Sequence, residues 1–387
     1  MYQIKLLNKI SPSGLDVFPK GQYSYAEEAQ SPDAIMVRSA SLHEYEFEPS
    51  IKAVARAGAG VNNIPIDRCS ELGIAVFNTP GANANAVKEL VVAGLLLSAR
   101  KVVPAIEWLS TIKDEGDAVP GLVEKGKGKF AGPELKGKKL GVIGLGAIGV
   151  MVANIARHFE MEVYGYDPYM SVSAAWAISR SINHASSVKE IFETCDFITL
   201  HVPQTPETKG MINTESISTM KHGVRILNFA RGGLVVNADI LAAIDEGKVA
   251  CYVTDFPSAE LIGQKNVVVI PHLGASTPES EDNCATMAAE ELREYLENGN
   301  IKNSVNLPSL SMERSGKVRL GVIHRNVPNM ISQVTQTLSD AHINIGNMTN
   351  KSRGDYAYTL VDADSDLPAG LIDTMQKIEG VIRVTIY

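Results

Sequence analysis

Leu140-Gly-Val-Ile-Gly-Leu-Gly-Ala-Ile-Gly149 decides the fold of this chain. An apolar, strand-like run leads into three glycines spaced G-x-G-x-x-G, and the pattern after them predicts a helix over 150–158. The glycines have separate roles. Gly144 makes the tight turn, Gly146 lets a pyrophosphate approach the backbone, and Gly149 lets helix and strand pack closely. Amides at the helix start, including those of Ala147 and Ile148, are expected to carry the pyrophosphate. A lone G-x-G-x-x-G is weak, and a glycine turn that packs but binds nothing is the plain alternative. Here Asp167 ends the next apolar run, Val163-Tyr-Gly-Tyr-Asp167, 18 residues past Gly149. A carboxylate at that interval suits a ribose hydroxyl and repels a 2′-phosphate. Pro168-Tyr169 adds no cation, so NAD is expected rather than NADP.

Three later apolar runs each lead to a polar side chain. Arg231 follows Val224-Arg-Ile-Leu-Asn-Phe-Ala230, and His272 closes Asn266-Val-Val-Val-Ile-Pro-His272. Glu260 lies five residues beyond Asp255, in the loop after Ala250-Cys-Tyr-Val-Thr-Asp-Phe256. Ligands of an open parallel sheet bind outside the carboxyl ends of its strands. The three side chains are therefore expected to form an acid/base site with an anion clamp. His272 suits proton transfer near neutral pH. A carboxylate from Glu260 beside it would orient the ring and raise its pKa. Arg231 offers a planar fork for a carboxylate and part of a carbonyl oxygen. Taken singly, each is an ordinary turn or loop residue; their joint placement after three strands favours a site.

At 387 residues, two or three domains are expected. With 45% hydrophobic and 21% charged residues the chain reads as globular. A net charge of −8 argues against general nucleic-acid binding. Met1-Tyr-Gln-Ile-Lys-Leu-Leu has no basic region followed by an apolar core, so no signal peptide is expected. The apolar stretch 90–99 is too short to span a bilayer. Cys69, Cys195, Cys251 and Cys284 lack metal-ligand or CxxC spacing and read as reduced core thiols of a cytoplasmic protein, with no metal expected.

Strand-like runs at 35–38, 53–55 and 74–77 precede a helix expected over 84–100, with Val87, Leu90, Val91 and Leu95 on one face. The stretch 114–136, rich in Gly, Lys and Glu, reads as loop. A helix over 279–298 ends at Gly299, and 303–308 reads as a linker. Beyond it come a strand (318–323), Pro328 at the expected first helical position, and a helix (330–341). Strands at 343–348 and 356–361, a helix over 367–378 and a strand at 381–386 complete a βαββαβ, ferredoxin-like order.

Gly144–Gly149 with Asp167, Leu200-His-Val-Pro203, Asn228-Phe-Ala-Arg-Gly232, Asp255 with Glu260, and Pro271-His-Leu-Gly-Ala-Ser276 form one set. In that set the chain resembles the D-isomer-specific 2-hydroxyacid dehydrogenases, of the shorter type with a C-terminal ACT domain. The resemblance implies an α/β protein. A Rossmann nucleotide-binding domain (93–282) would be inserted in a flavodoxin-like substrate domain (1–92 and 283–308), followed by a ferredoxin-like ACT domain (316–387). It implies substrate anchoring by Arg231, tuning of the histidine by Glu260 and acid/base catalysis by His272. It also implies His201, Pro203, Phe229, Ala230, Asp255, Gly274 and Ala275 around NAD, and a cleft that closes over substrate to exclude water. The activity implied is oxidation of a small phosphorylated 2-hydroxy acid, 3-phospho-D-glycerate, at the start of L-serine synthesis. Two alternatives stay open: a glyoxylate/hydroxypyruvate reductase or D-lactate dehydrogenase of the same family, and an NAD-sensing corepressor-like interaction protein. The C-terminal module weighs against both.

The N-terminal part carries the same resemblance. Val37-Arg-Ser39 is similar to the family's substrate loop, with Arg38 beside Ser39 as candidate phosphate partner. Arg56-Ala-Gly-Ala-Gly-Val61 is similar to the loop whose amides, of Ala59 and Gly60, meet the substrate carboxylate. Asn78-Thr-Pro-Gly-Ala-Asn83 is similar to the segment that brings Asn83 to the cleft. Lys88 stands where many relatives carry a small Ala; an anion contact and an ordinary solvated lysine both fit it. In the C-terminal module His324, Asn326 and Asn344 fall on positions that contact L-serine in serine-inhibited relatives, while Asn329 replaces the usual Gly. A dimerisation module that binds no amino acid remains open. A homodimer through the nucleotide domain, or a homotetramer through paired ACT modules, is implied.

Overall fold

The apolar runs around Leu140, Ile198, Ile226 and Val253 become neighbouring parallel strands buried on both faces, as parallel sheets require. The protein is described here by a computed structural model of residues 1–387. Its seven-stranded parallel sheet runs Asn183–His184, Glu162–Tyr166, Lys139–Ile143, Phe197–Leu200, Val224–Asn228, Val249–Thr254, Val267–Val269. Numbered within the sheet, that is 3-2-1-4-5-6, the doubly wound dinucleotide-binding order, with a seventh strand at the edge. Side chains alternate between the faces. Ile143, Ile198, Leu200, Ile226 and Tyr252 pack with Ile191, Ile240 and Ile244 on one side. Leu140, Val142, Phe197, Leu227 and Val253 meet Val87, Val91, Leu95, Val150 and Ala153 on the other.

That second core claims the whole helix Ala84–Arg100 for the nucleotide sheet. By its contacts the chain divides into 84–277 on the one hand and 1–83 with 278–387 on the other, a few residues from the 92/93 and 282/283 boundaries expected. The expected loop over 114–136 is largely helical. Helix Val102–Thr111 leads into a 3-10 turn at Lys113–Ala118, helix Val119–Gly126 and a second 3-10 turn at Lys127–Phe130. Pro120 sits at the start of its helix, where a missing N–H costs nothing. Gly126 makes room for the Trp108 indole, 2.6 Å from where a Cβ would lie, and that ring packs on Phe130 with Lys129 above it. Gly126 and Lys129 thus serve local ring contacts.

The other unit opens with a parallel sheet in the order Tyr23–Ala26, Tyr2–Leu7, Ala34–Val37, Ala53–Arg56, Ala75–Phe77. This is 2-1-3-4-5, the flavodoxin order. Helix Pro278–Asn298 lays Ala285, Ala288, Leu292 and Leu296 over one face, against Ile4, Met36, Ala55 and Phe77. Ile35, Val37, Val54 and Val76 build the other face. The segment 303–308, read as a linker, is tied down. The amide of Val305 and the hydroxyl of Ser304 both donate to Val76 O, and buried Asn306 bonds Val76 N, Ile74 O and Ser70. An Asn amide inside a core needs such partners, and the edge strand supplies them.

The C-terminal βαββαβ run forms an antiparallel sheet in the order Ile345–Arg353, Tyr356–Ala363, Val318–Arg325, Val381–Ile386. Helices Met330–Asp340 and Leu371–Gln376 cover one face through Val334, Leu338, Leu371 and Met375. Pro328 lies before the helix instead of in its first turn, because Asn329 takes a left-handed conformation (φ 71°) at the cap. The second strand starts two residues later than expected and extends to Arg353, and the second helix is shorter. The opposite face, with Ile323, Tyr358 and Leu360, joins the same core as Ile4 and Leu292. This module is therefore packed onto the flavodoxin-like sheet. The Tyr295 ring lies tilted to Tyr358 and edge-on to Tyr387, and the Arg383 guanidinium donates to the carbonyls of Ile51 and Pro49.

Glu291 is buried in that core. Burial pushes its carboxyl up to about 8, while the Asn303 amide and Lys302 pull the other way. The unfolded chain releases this proton near ~4.3. Stability from Glu291 is thus greatest below that pH and falls as pH rises toward 8. Glu291→Gln is expected to raise stability by roughly 1–3 kcal/mol at pH 8 and to change it little at pH 4.5. Thermal melts at both pH values check this, and equal shifts at both would refute it. All four cysteines are buried and unpaired. Burial pushes the Cys69 thiol to about 12 and those of Cys195 and Cys251 to about 11, so they are poor nucleophiles. No helix is long and apolar enough to cross a membrane.

Candidate active site

The glycine loop is built at the carboxyl end of Lys139–Ile143, where the strand order reverses. Gly144 has φ 94°, and a Cβ on it would lie 2.6 Å from His201 O. A Cβ on Gly149 would sit 1.9 Å from Gly144 O, so helix and turn touch with no room for a side chain. Around Gly146 the space is open, with nothing within 4 Å of an added Cβ. The helix begins at Ala147, three residues earlier than expected, with Gly146 as its cap, so the amides of Ala147, Ile148 and Gly149 fall in its unpaired first turn. Asp167 is held from both sides: Leu145 N donates to Oδ2 and Tyr169 N to Oδ1, each at 2.8 Å. His201 N donates to Ile143 O at 2.7 Å, stitching the two strands across the reversal. Burial of the His201 ring pushes it down to about 3, and its Nε2 lies 3.0 Å from the Thr199 hydroxyl. Pro203 is exposed and its carbonyl accepts from Thr208.

Arg231, Asp255 and His272 leave three adjacent strands at the same edge. Arg231 is exposed and its Nη1 donates back to Ala230 O at 2.7 Å. Asp255 is buried, accepts Gly274 N at 3.3 Å on Oδ2, and has no partner on Oδ1. Burial raises its pKa, and the nearby His272 and the Gly274 amide oppose that rise. The His272 ring is exposed and packs against Phe256 with centroids 5.1 Å apart. Glu260 is not brought onto it. Its carboxylate instead accepts from Asn237 Nδ2 at 3.1 Å, and no hydrogen bond joins it to His272. Ala275 is half-buried beside Gly274. Phe229 is a packing residue, its ring filling the space left by Gly94, so only its backbone faces the edge.

Three contributors were not singled out from the sequence. Asn228 shapes the turn before Arg231: its Nδ2 donates to Arg231 O at 2.9 Å, and its Oδ1 accepts from Ala230 N. An Asn closing an apolar strand was the available signal, since a buried amide needs partners on all sides. Asn237 ties the Glu260 loop to helix Asn237–Asp245 through Ser258 and Glu260. Phe256, directly after Asp255, sets the tilt of the imidazole.

The remaining sequence-derived residues lie in the other unit. Arg38 follows strand Ala34–Val37, and its Nη2 bonds Glu281 Oε1 at 2.6 Å. Ser39 N is held by Asn8 Oδ1, Ala59 O accepts from Asn78, and Gly60 leaves room for the Arg56 guanidinium. Asn83 is half-buried at the end of its segment. Lys88, on helix Ala84–Arg100, pairs with Glu89 at 3.6 Å. In the C-terminal module His324 is buried and has both ring nitrogens engaged, with Arg325 O and the Thr359 hydroxyl. Asn326 bonds Gly354 O and Asn344 bonds Asp364.

Residues 93–274 match the family described as D-isomer specific 2-hydroxyacid dehydrogenase, NAD binding domain. The chain is similar to the D-3-phosphoglycerate dehydrogenase of Methanocaldococcus jannaschii, 34% identical over 82% of this chain and 59% of that protein. It is likewise similar to that of Haemophilus influenzae, 32% identical over 88% of this chain and 82% of that protein. Among solved structures it resembles an NAD+-bound 3-phosphoglycerate dehydrogenase of Entamoeba histolytica, with a TM-score of 0.61 and 26% identity, covering 80% of this chain and 99% of that one. The chain thus spans less than two thirds of the Methanocaldococcus protein's length.

Proposed function

This chain belongs to the D-isomer-specific 2-hydroxyacid dehydrogenases, with residues 93–274 its NAD-binding domain. From that premise we propose that it oxidises 3-phospho-D-glycerate to 3-phosphohydroxypyruvate with NAD, the first step of L-serine synthesis, in the cytoplasm. The observation that carries this reading is the shared strand edge holding Arg231, His272 and the orphaned Asp255 oxygen beside a glycine turn with an open side at Gly146. Two features fit NAD: the open space and free amides at Gly146–Gly149 for a pyrophosphate, and Asp255 Oδ1 as an acceptor for a carboxamide N–H. Asp167, fixed by two amides, takes the ribose hydroxyls.

NAD, when bound, supplies the hydride acceptor for C2 of the alcohol. The chain's own residues position the substrate and move its proton. His272 takes the hydroxyl proton as the carbonyl forms. Arg231 leaves Ala230 O to hold the substrate carboxylate and the oxygen on which charge shifts. Glu260, held by Asn237, tunes the imidazole once substrate is present. Arg38 and Ser39 take the phosphate, the amides of Ala59 and Gly60 the carboxylate, and Asn83 orients the acid. The βαββαβ module is assigned as an ACT domain. An amino-acid effector such as L-serine would rely there on Asn326 and Asn344, since His324 has no free nitrogen. A homodimer or homotetramer completes the proposal.

The deciding experiment compares initial rates of NADH formation from 3-phospho-D-glycerate, D-glycerate and D-lactate. The phosphorylated acid is expected to give the highest kcat/KM. Turnover confined to unphosphorylated acids would replace this reading with a lactate- or glyoxylate-type enzyme.

A further inference from the structure

The Arg38 guanidinium, the proposed phosphate partner, is already occupied. Its Nη2 donates to Glu281 Oε1 at 2.6 Å, and the two side chains are 43% and 44% exposed, so the pair is open to exchange. Glu281 lies in the first turn of helix Pro278–Asn298, where the helix dipole also favours a negative charge. Neighbouring groups on both sides of the pair are held by other partners. Arg56 Nε donates to the Arg38 carbonyl at 2.9 Å, the next acid, Asp282, accepts from the Ser11 hydroxyl, and Ser39 and Ala40 are held by Asn8. The Arg38 backbone is thus fixed while its charge rests on a carboxylate from the same unit.

We propose that Glu281 is a displaceable internal counter-ion of Arg38, which a phosphate monoester must replace in order to bind. This deepens the phosphoglycerate reading and rests on it. Competition of this kind weakens binding of the phosphate end by one factor, whether it arrives as a phosphoryl group or as inorganic phosphate. It does not touch the reacting carbon, so it acts on KM and leaves kcat unchanged. A 2-hydroxy acid ending in a neutral hydroxyl has nothing to displace. Glu281 therefore sets how strongly phosphorylated acids are preferred over their unphosphorylated counterparts.

In the full-length enzyme, Glu281→Gln is expected to lower KM for 3-phospho-D-glycerate roughly two- to five-fold, the range for a half-exposed ion pair, with kcat unchanged. KM for D-glycerate should stay the same. Inorganic phosphate should inhibit more strongly by the same factor. Glu279→Gln removes an acid from the same helix turn and is expected to leave KM unchanged. In an Arg38→Gln background Glu281→Gln should have no further effect. An unchanged KM in Glu281→Gln, or an equal fall in Glu279→Gln, overturns the proposal while the substrate assignment stands. Should wild type fail to oxidise 3-phospho-D-glycerate, the substrate assignment falls instead. Calorimetric titration with inorganic phosphate then tests the counter-ion alone, and equal affinity for wild type and Glu281→Gln overturns it.

Discussion

His272→Ala is expected to lower turnover by about 10²–10⁴-fold while NAD still binds. The imidazole stands at the end of a strand, exposed, with Phe256 against its face and Asp255 nearby, whereas the nucleotide loop is built from Gly144–Gly149, Asp167 and His201. Nothing in that loop depends on the ring, so its removal leaves the loop intact and takes away the proposed proton acceptor. NADH fluorescence titration and steady-state kinetics on one preparation separate the two effects. Turnover near the wild-type level, or loss of NADH binding in parallel with turnover, would sink the assignment of His272. Glu260 is held by Asn237 in the free protein and is proposed to tune the imidazole only once substrate is bound, so its removal is expected to shift the pH profile of turnover more than the maximal rate.

The positions of these residues were legible because strand ends can be read from a sequence. Apolar runs ending at Ala230, Phe256 and Pro271 put Arg231, Asp255 and His272 at one edge once the strands are parallel. What the runs do not encode is the side-chain partnership. Glu260 was expected on His272, yet Asn237, 23 residues earlier and on a helix, takes it instead. Short polar side chains within reach compete for a carboxylate, and loop spacing alone does not rank them. The C-terminal order was legible from its periodicity, but its attachment was not. That depends on Tyr295, Tyr358 and Leu360 facing a common core, contacts between residues far apart in the chain. The glycine-rich stretch at 114–136 misled for a related reason: Gly126 is there to admit an indole, not to loosen the backbone.

Among the polar contacts of that attachment, a fully buried ion pair carries the largest expected effect on stability. Arg319 and Asp362, both fully buried, form a two-point ion pair, Nε to Oδ1 at 2.6 Å and Nη2 to Oδ2 at 2.8 Å. Arg319 Nη1 also donates to Asn298 O and Met312 O, reaching from the ferredoxin-like sheet to the end of helix Pro278–Asn298. Burial alone would raise the Asp362 carboxyl, but Arg319 and the Ser315 amide outweigh it and hold the group at about 2. Since free aspartate titrates near ~3.9, its stabilising contribution is present above that pH and is lost as pH falls through about 2. Arg319→Leu strands a buried carboxylate and is expected to cost about 3–5 kcal/mol. Removing both charges is expected to cost less than removing one, because no charge is then left without its partner. Arg319→Leu with Asp362→Leu should therefore melt above Arg319→Leu, though below wild type, since the carbonyls of Asn298 and Met312 lose their donor. Denaturant melts of the two variants at pH 7 decide the matter: a double variant no more stable than the single one would mean that packing, and not charge pairing, fixes the module.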